Sequence, residues 1–453
     1  MKILSGAAVL TRRRFLGTLA GAALGVLSGC ARPSPVATPT AEATSGPAGA
    51  EAVAYPSPTA GQTATPFPSP TTAASPTVAA TALPPTPTSP PATPQPTLAP
   101  TPAPTPTPAK PIVAVARCDD YGASKVEAAV RSLVAQCGGL KDIIKPGATV
   151  VIKPNFTSGG RPPTTDRWPN IYTYTTHPAV TRAIALLAKE AGAGRIILTE
   201  GWGDDVWVLN KHDGLIKELG LETLNLDDPA PAADFTAMPV PGALELPEVL
   251  LHEAIAKADV FISVPKMKCH ASCGITLSIK NVFGCTPLPR YRERSWDQSR
   301  TTMHTGHWGV RLPRILVDVL RARPVDFAVV DAISTLDQGE GPWNDGAAGI
   351  VLRTVRPQLL LAGRNPVAVD AVGAALMGFD PAAADDTPPF SCGVNHIALA
   401  ASLGLGPGTL DQIDIRGVAV ADARFPFTPC PRVLSQAGYG PHLAMDEALR
   451  RLL

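Results

Sequence analysis

Residues 259–285 read DVFISVPKMKCHASCGITLSIKNVFGC, and this stretch holds the densest set of side chains able to do chemistry. An apolar run, Val260 to Val264, empties into Lys266, Lys268, Cys269, His270 and Cys273. Thr276, Lys280 and Asn281 follow, and the segment closes on Gly284. Lysines are poor core residues unless something anionic meets them, so the cluster reads as the lining of a site for a negatively charged ligand. Ammonium groups supply charge to carboxylate or phosphate oxygens, and amides fix orientation. Lysines crowded by other lysines also have lowered pKa values and can act as bases or nucleophiles, while His270 can serve as a general acid or base near neutral pH. Lys268, His270 and Lys280 are therefore the catalytic candidates.

Further candidates lie elsewhere in the chain. Lys153-Pro154-Asn155 follows one β-branched run and Glu200 the next; Asp331 ends another, and Asp370 lies in a later helical pattern. With Lys266 and Asn281 these form the expected ligand-binding set. The competing reading is a structural network in which the lysines pair with Glu200, Asp331 and Asp370. His304 and His307 have the i, i+3 spacing of two metal ligands on one helical turn, although their Thr/Gly-rich surroundings read as loop. Cys269, Cys273 and Cys285 beside His270 could hold zinc or an iron–sulfur cluster, against the plainer readings of disulfides or packing. Asp331, Glu340, Asp345 and Asp370 could bind a divalent cation, with Glu340 otherwise a solvated turn residue. Trp202 and Trp207 flank Asp204 and Asp205 and would either wall a pocket or anchor a loop. The cofactor stays open between a divalent metal, an iron–sulfur cluster and none.

The elements that must position these groups are legible. Residues 112–116, 149–153, 195–199, 259–264, 326–331 and 358–362 read as buried strands, apolar on both faces. Ser124 is the expected N-cap of a helix over 125–136. Thr176-His177-Pro178 opens another that runs to Ala191 and stops at Gly192, and 368–377 and 394–403 are further helices. Strand, helix, strand at this spacing predicts an α/β fold: a mostly parallel central sheet flanked by helices, in one domain or two closely packed lobes. Ligands of open parallel sheets bind beyond the carboxyl ends of the strands. Several strands here deliver charged or amide residues at that end, which argues for one shared crevice.

The pattern resembles the domain-of-unknown-function family numbered 362. The resemblance rests on Lys153-Pro154-Asn155, Thr176-His177-Pro178, Val264-Pro265-Lys266-Met267-Lys268 with His270, and Thr276-x-x-x-Lys280-Asn281-x-x-Gly284. A downstream histidine, Asp331 with Gly339-x-Gly341-Pro342, and Asn365-Pro366-Val367-Ala368-Val369-Asp370 complete it, over most of 111–420. The family has no agreed activity. Some relatives carry ferredoxin-like iron–sulfur domains, which implies a link to redox chemistry; this chain has no ferredoxin-type run of cysteines, and Cys269 and Cys273 lie outside the family pattern.

The N-terminal part reads as targeting and tether rather than fold. Thr11-Arg12-Arg13-Arg14-Phe15-Leu16 fits the twin-arginine export pattern, and Leu27-Ser28-Gly29-Cys30 resembles a lipobox with Cys30 as the lipid attachment site. Residues 1–30 are thus expected to be a signal peptide read by the twin-arginine export machinery. The apolar stretch 15–29 is shorter than the ~20 residues of a spanning helix. Residues 31–110 hold 22 of the 50 prolines and only four charged residues, the composition of a disordered spacer. Residues 111–453 form the folded part, with 33 Lys and Arg against 36 Asp and Glu, a formal net charge of −3. No basic stripe points to nucleic acid.

Together these expectations describe an exported lipoprotein on the outer side of the cytoplasmic membrane, or on the outer membrane of a two-membrane cell. The first reading is an enzyme acting on a small anionic organic ligand. The alternatives are a non-catalytic anion- or metal-binding lipoprotein and an iron–sulfur-linked redox protein.

Overall fold

Eight strands form one sheet, and its apolar runs explain why. We label them β1 (Ile112–Arg117), β2 (Thr149–Pro154), β3 (Arg195–Glu200), β4 (Glu222–Asn225), β5 (Val260–Val264), β6 (Phe327–Ala332), β7 (Leu359–Gly363) and β8 (Asp414–Gly417). Their order across the sheet is β8-β1-β7-β6-β5-β2-β3-β4. All neighbours run parallel except β7, which is antiparallel to both β1 and β6. The fold is therefore α/β, with a mostly parallel central sheet flanked by helices. In the computed structural model the described residues are 109–157, 170–227, 235–293, 300–304, 308–346, 351–391 and 393–431. The export signal, Cys30, all but the last two residues of the spacer, His307 and Cys392 lie outside them.

Alternation of side chains across the strands builds a core on each face. On β5, Val260, Ile262 and Val264 face one apolar layer with Val126, Val130 and Ile184, whereas Phe261 faces the other with Leu312, Ile315 and Val367. Burial on both sides is what a covered parallel sheet requires. The first layer is supplied by helices α1 (Ala123–Gln136) and α2 (Pro178–Ala191). The second contains α3 (Ser278–Asn281), α4 (Trp308–Ala322), α5 (Pro366–Leu376) and α6 (His396–Ser402). The described residues fall within one compact unit, Pro100–Leu453, rather than two lobes.

Helix ends follow local chemistry. At α2, His177 Nδ1 accepts from the Ala179 N–H at 3.1 Å, Pro178 fills the first turn, and Gly192 ends the helix at φ 113°. Helix α1 departs from expectation: its N-cap is Gly122, and Ser124 lies inside the first turn without a capping bond. Asp120 Oδ1 accepts from the Gly122 N–H at 2.7 Å and turns the chain one step earlier. Strand β7 was expected as one more buried strand, and its reversed direction has a topological cause. The chain from β6 makes a two-stranded antiparallel excursion, Thr335–Asp337 with Arg353–Val355, rather than a helical crossover, so it re-enters running the other way.

Candidate functional site

A cavity of about 260 Å³ opens beyond the carboxyl ends of β2 and β3. Lys153, Asn155 and Thr157 line it from β2, Glu200 and Trp202 from β3. His270 and Thr276 come from a hairpin, Lys268–His270 with Gly274–Thr276, that follows β5. Lys280 and Asn281 come from α3, and Phe283, Gly284, Arg300, His304, Glu340 and Trp343 complete the wall. Of the residues expected from sequence, Lys153, Asn155, Glu200, His270, Lys280, Asn281 and His304 thus meet in one place.

Most of their polar atoms are already engaged. Lys153 Nζ lies 2.7 Å from Glu200 Oε2, and both side chains are buried. Glu200 also accepts from the Phe156 N–H at 2.8 Å and the Gly201 N–H at 3.1 Å. A Cβ at Gly284 would fall 2.6 Å from Lys153 Cε and 2.7 Å from Nζ, so the closing glycine of the Lys280-Asn281-x-x-Gly284 motif makes room for this ion pair. Asn281 spends both amide hydrogens on Lys153 O and Ser263 Oγ and accepts from Asn155 Nδ2. Asn155 keeps one N–H for the cavity, its Oδ1 accepting from Thr157 Oγ1.

Lys268 sits just behind the wall. Its three hydrogens go to Thr157 Oγ1 at 2.5 Å, Tyr174 O at 2.9 Å and Glu340 O at 3.0 Å. Burial lowers its pKa to about 7 against the pull of Glu340, with Lys280 and Lys266 lowering it further. The expected catalytic role for Lys268 meets an obstacle, because its nitrogen has no hydrogen left to present to a ligand.

His270 is constrained in the same way. Its Nδ1 accepts the backbone N–H groups of Ser272 at 3.1 Å and Cys273 at 3.3 Å, and Nε2 lies 2.7 Å from Glu340 Oε2. Both ring nitrogens are committed, and burial lowers the ring's pKa although Glu340 opposes it. Glu340 is buried rather than a solvated turn residue. Burial pushes its carboxyl up, but His270, Lys268 and Lys280 outweigh that and hold it well below the usual range. Trp343 Nε1 donates to its other oxygen at 3.3 Å.

Lys280 differs from the other lysines. Among the described residues no carboxylate or hydrogen-bond acceptor meets its nitrogen; the ammonium rests over the Phe283 ring, 4.3 Å from the centroid. Burial lowers its pKa, the Cys273 and Glu340 groups oppose this, and Arg300 and Lys153 reinforce it. Thr276 Oγ1 is likewise buried without a partner.

Most of the remaining candidates do not line the cavity. Lys266 Nζ and Asp331 Oδ2 form a fully buried pair at 3.0 Å. Tyr121 OH accepts from Lys266 at 2.7 Å and donates to Asp331 at 2.8 Å, with His177 stacked on the Tyr121 ring at 3.9 Å. Asp370, on α5, is not ligand-facing: its two oxygens accept the Ser278 and Ile279 N–H groups at 2.7 and 2.8 Å, holding the first turn of α3. Asp345 accepts from the Leu352 N–H at 3.0 Å and serves its own loop. Trp202 lines the cavity, whereas Trp207 packs on Phe156 in the core.

Cys269 and Cys273 are buried apolar-layer residues, and Cys269 Sγ donates to Thr428 O at 3.3 Å. Cys118, Cys137, Cys269 and Cys285 are free thiols. Among the described residues no three His, Cys, Asp or Glu side chains gather as metal ligands. Among the described residues, Cys269, Cys273 and Cys285 therefore do not come together with His270 as the ligands of a cluster or metal ion. Thr157, Tyr174, Phe283, Arg300 and Trp343 escaped sequence reasoning. Of these, only Phe283, next to Gly284, and Trp343, next to Pro342, adjoin motif residues that could have drawn attention to them.

Among the described residues no helix is long and apolar enough to cross a membrane. A thylakoid-associated protein of Synechocystis sp. is 26% identical over 292 residues, covering 62% of this chain and 83% of that protein. Two solved structures overlap more loosely. A Thermotoga maritima protein aligns with TM-score 0.31 at 11% identity, over 55% of this chain and 57% of its own. The lactate racemase apoprotein of Thermoanaerobacterium thermosaccharolyticum aligns with TM-score 0.30 at 11% identity, over 49% and 50%. The chain therefore spans about half the length of each structure. Residues 150–375, which supply all the cavity's lining side chains, match the family described as Domain of unknown function (DUF362), and this supports the family resemblance carried by the sequence motifs.

Proposed function

We propose that the protein is an enzyme acting on a small organic anion, with Lys280 as both anchor and proton donor. The observation that carries this reading is the contrast at Lys280: every other lysine at the site is paired or fully hydrogen-bonded, and this one faces the cavity with no acceptor among the described residues. An ammonium of lowered pKa on a cavity wall attracts an anion and gives up its proton to negative charge developing on it. The His270–Glu340 pair shapes the wall, and its carboxylate reaches that ammonium through its field rather than by contact. Glu340 itself is a weak base, since its pKa lies so low.

One observation favours a non-catalytic anion binder. His270 and Lys268, the other expected acid–base groups, have no free lone pair or hydrogen for a ligand. Lys280→Arg separates the two readings, because arginine keeps the charge and cannot release its proton. The full chain and this variant are incubated with small organic acids, with binding followed by calorimetry and turnover by proton NMR. The enzyme reading expects the variant to bind and to lose turnover. Unchanged turnover would sink the proton-donor role, and a wild type that binds acids but converts none would leave the binder.

For location we propose export by the twin-arginine route and lipid attachment at Cys30, supported by Arg12-Arg13, the lipobox and the proline-rich spacer. The thylakoid association in the name of the Synechocystis relative agrees with a membrane-linked protein. Release of the chain from membranes by Cys30→Ser, and its retention inside the cell by Arg12→Lys with Arg13→Lys, are the expected results in cell fractionation.

A further inference from the structure

The charges around the cavity cancel in pairs, and what is left over defines the ligand. Lys153 meets Glu200 at 2.7 Å, and Arg300 meets Asp227 at 3.3 Å. Lys268 donates to the Glu340 backbone, and the Glu340 carboxylate acts through its field on Lys268 and Lys280 together, one negative charge between two ammonium groups. Among the described residues Lys280 is the cation without a counter-charge in contact. Thr276 lines the same cavity, and among the described residues its buried hydroxyl has no partner, a state that costs stability unless a ligand or water meets it. One ammonium and one hydroxyl offer a donor to each oxygen of a single carboxylate. A phosphate dianion or a dicarboxylate would bring a second negative charge that has no unpaired cation to meet it.

The rest of the lining is aromatic. Phe283, Trp202 and Trp343 face the cavity, and Trp202 does so from a left-handed backbone at φ 78°, a conformation a bulky residue holds only under constraint. Its N–H is fixed there by Asp227 Oδ2 at 2.8 Å. The 260 Å³ cavity lies just under the ~300–1,000 Å³ span of small-molecule pockets, which suits a small ligand.

We infer that the cavity takes a singly charged carboxylate with a flat apolar body, its head on Lys280 and Thr276 and its body against the aromatic wall. This rests on the anion-site reading and narrows it. The test titrates the full chain with benzoate, its neutral isostere benzamide, succinate and inorganic phosphate. Benzoate is expected to bind at least about tenfold more tightly than each of the others, the size of effect a charge-assisted hydrogen bond confers. Lys280→Met, which keeps the stem on Phe283, is expected to erase the preference for benzoate over benzamide, and Lys280→Arg to retain it. Trp343→Ala is expected to weaken benzoate and leave acetate unchanged. Succinate or phosphate binding more tightly than benzoate, in a manner lost in Lys280→Met, would overturn the inferred class while the anion site stands. If no anion binds the wild type, or Lys280→Met changes nothing, both the class and the anion site fail.

Discussion

Lys266 and Lys280 lie fourteen residues apart in one segment, both among charged residues, yet the fold treats them in opposite ways. Lys266 is sealed: fully buried, paired to Asp331 at 3.0 Å, and bonded to Tyr121 at 2.7 Å. Lys280 is left open, over an aromatic ring at the edge of a cavity. A buried charge with all its partners stiffens the junction between strands, here where Lys266 and Asp331 also form a backbone bridge. A charge left without partners adds nothing comparable to stability and is kept for something that arrives later. On the proposed reading, the contrast separates lysines that hold the fold from the one left available to a ligand.

The sealed side gives the largest expected effect. Asp331→Ala removes the acceptor of Lys266, of Tyr121 OH and of the His177 N–H. Leaving a buried ammonium unpaired costs ~3–5 kcal/mol, measurable by urea denaturation. A loss under ~1 kcal/mol would show that the network relaxes or admits water, and the contrast with Lys280 would dissolve. Next comes Gly284→Ala, whose new methyl meets Lys153 Cε at 2.6 Å beside the Lys153–Glu200 pair. Overpacking of this kind costs ~1–3 kcal/mol and should also narrow the cavity, so stability and anion affinity fall together. Lys280→Met should change stability least of the three, within ~0.5 kcal/mol or slightly upward, while anion binding disappears.

A fourth prediction concerns pH. Burial lowers His177 to about 4, and His212 and His396 to about 3. In the unfolded chain these rings protonate near pH 6.5. Their folded-state pKa values are depressed, so their stabilising contribution is complete above about pH 6.5 and is lost as pH falls toward 4 and then 3. The melting temperature should therefore begin to drop below about pH 6.5, before most carboxylates titrate. His396, buried with no hydrogen bond to either ring nitrogen among the described residues, is the clearest probe. His396→Leu should flatten part of that drop, and an identical pH profile would show that His396 is not among its sources.

Much of this architecture was legible in the sequence, and the losses have physical causes. Apolar runs such as Val260–Val264 announced buried strands, and charged residues at their ends announced a crevice beyond the sheet. The reversal of β7 was hidden because a strand buried on both faces carries the same pattern in either direction. Asp370 reads like a site acid, yet its carboxylate caps the start of α3, a helix some ninety residues away in sequence. His270 reads like a free base, but its own hairpin turn supplies the two N–H groups that occupy Nδ1. Which lysine stays open could not be read either. Pairing of Lys153 with Glu200 and of Lys266 with Asp331 depends on contacts 47 residues apart in the first case and across the β5–β6 junction in the second.

The central claim is that Lys280 alone among the clustered lysines is held in reserve for an anion, and amine reactivity tests it most directly. The folded full chain is labelled briefly with an amine-reactive reagent, with and without saturating benzoate, and each lysine is read by mass spectrometry. The account predicts that Lys280 labels and that benzoate protects it, while Lys153, Lys266 and Lys268 stay unlabelled in both samples. Labelling of Lys153 or Lys268 with Lys280 refractory, or labelling of Lys280 that benzoate leaves unchanged, would contradict it.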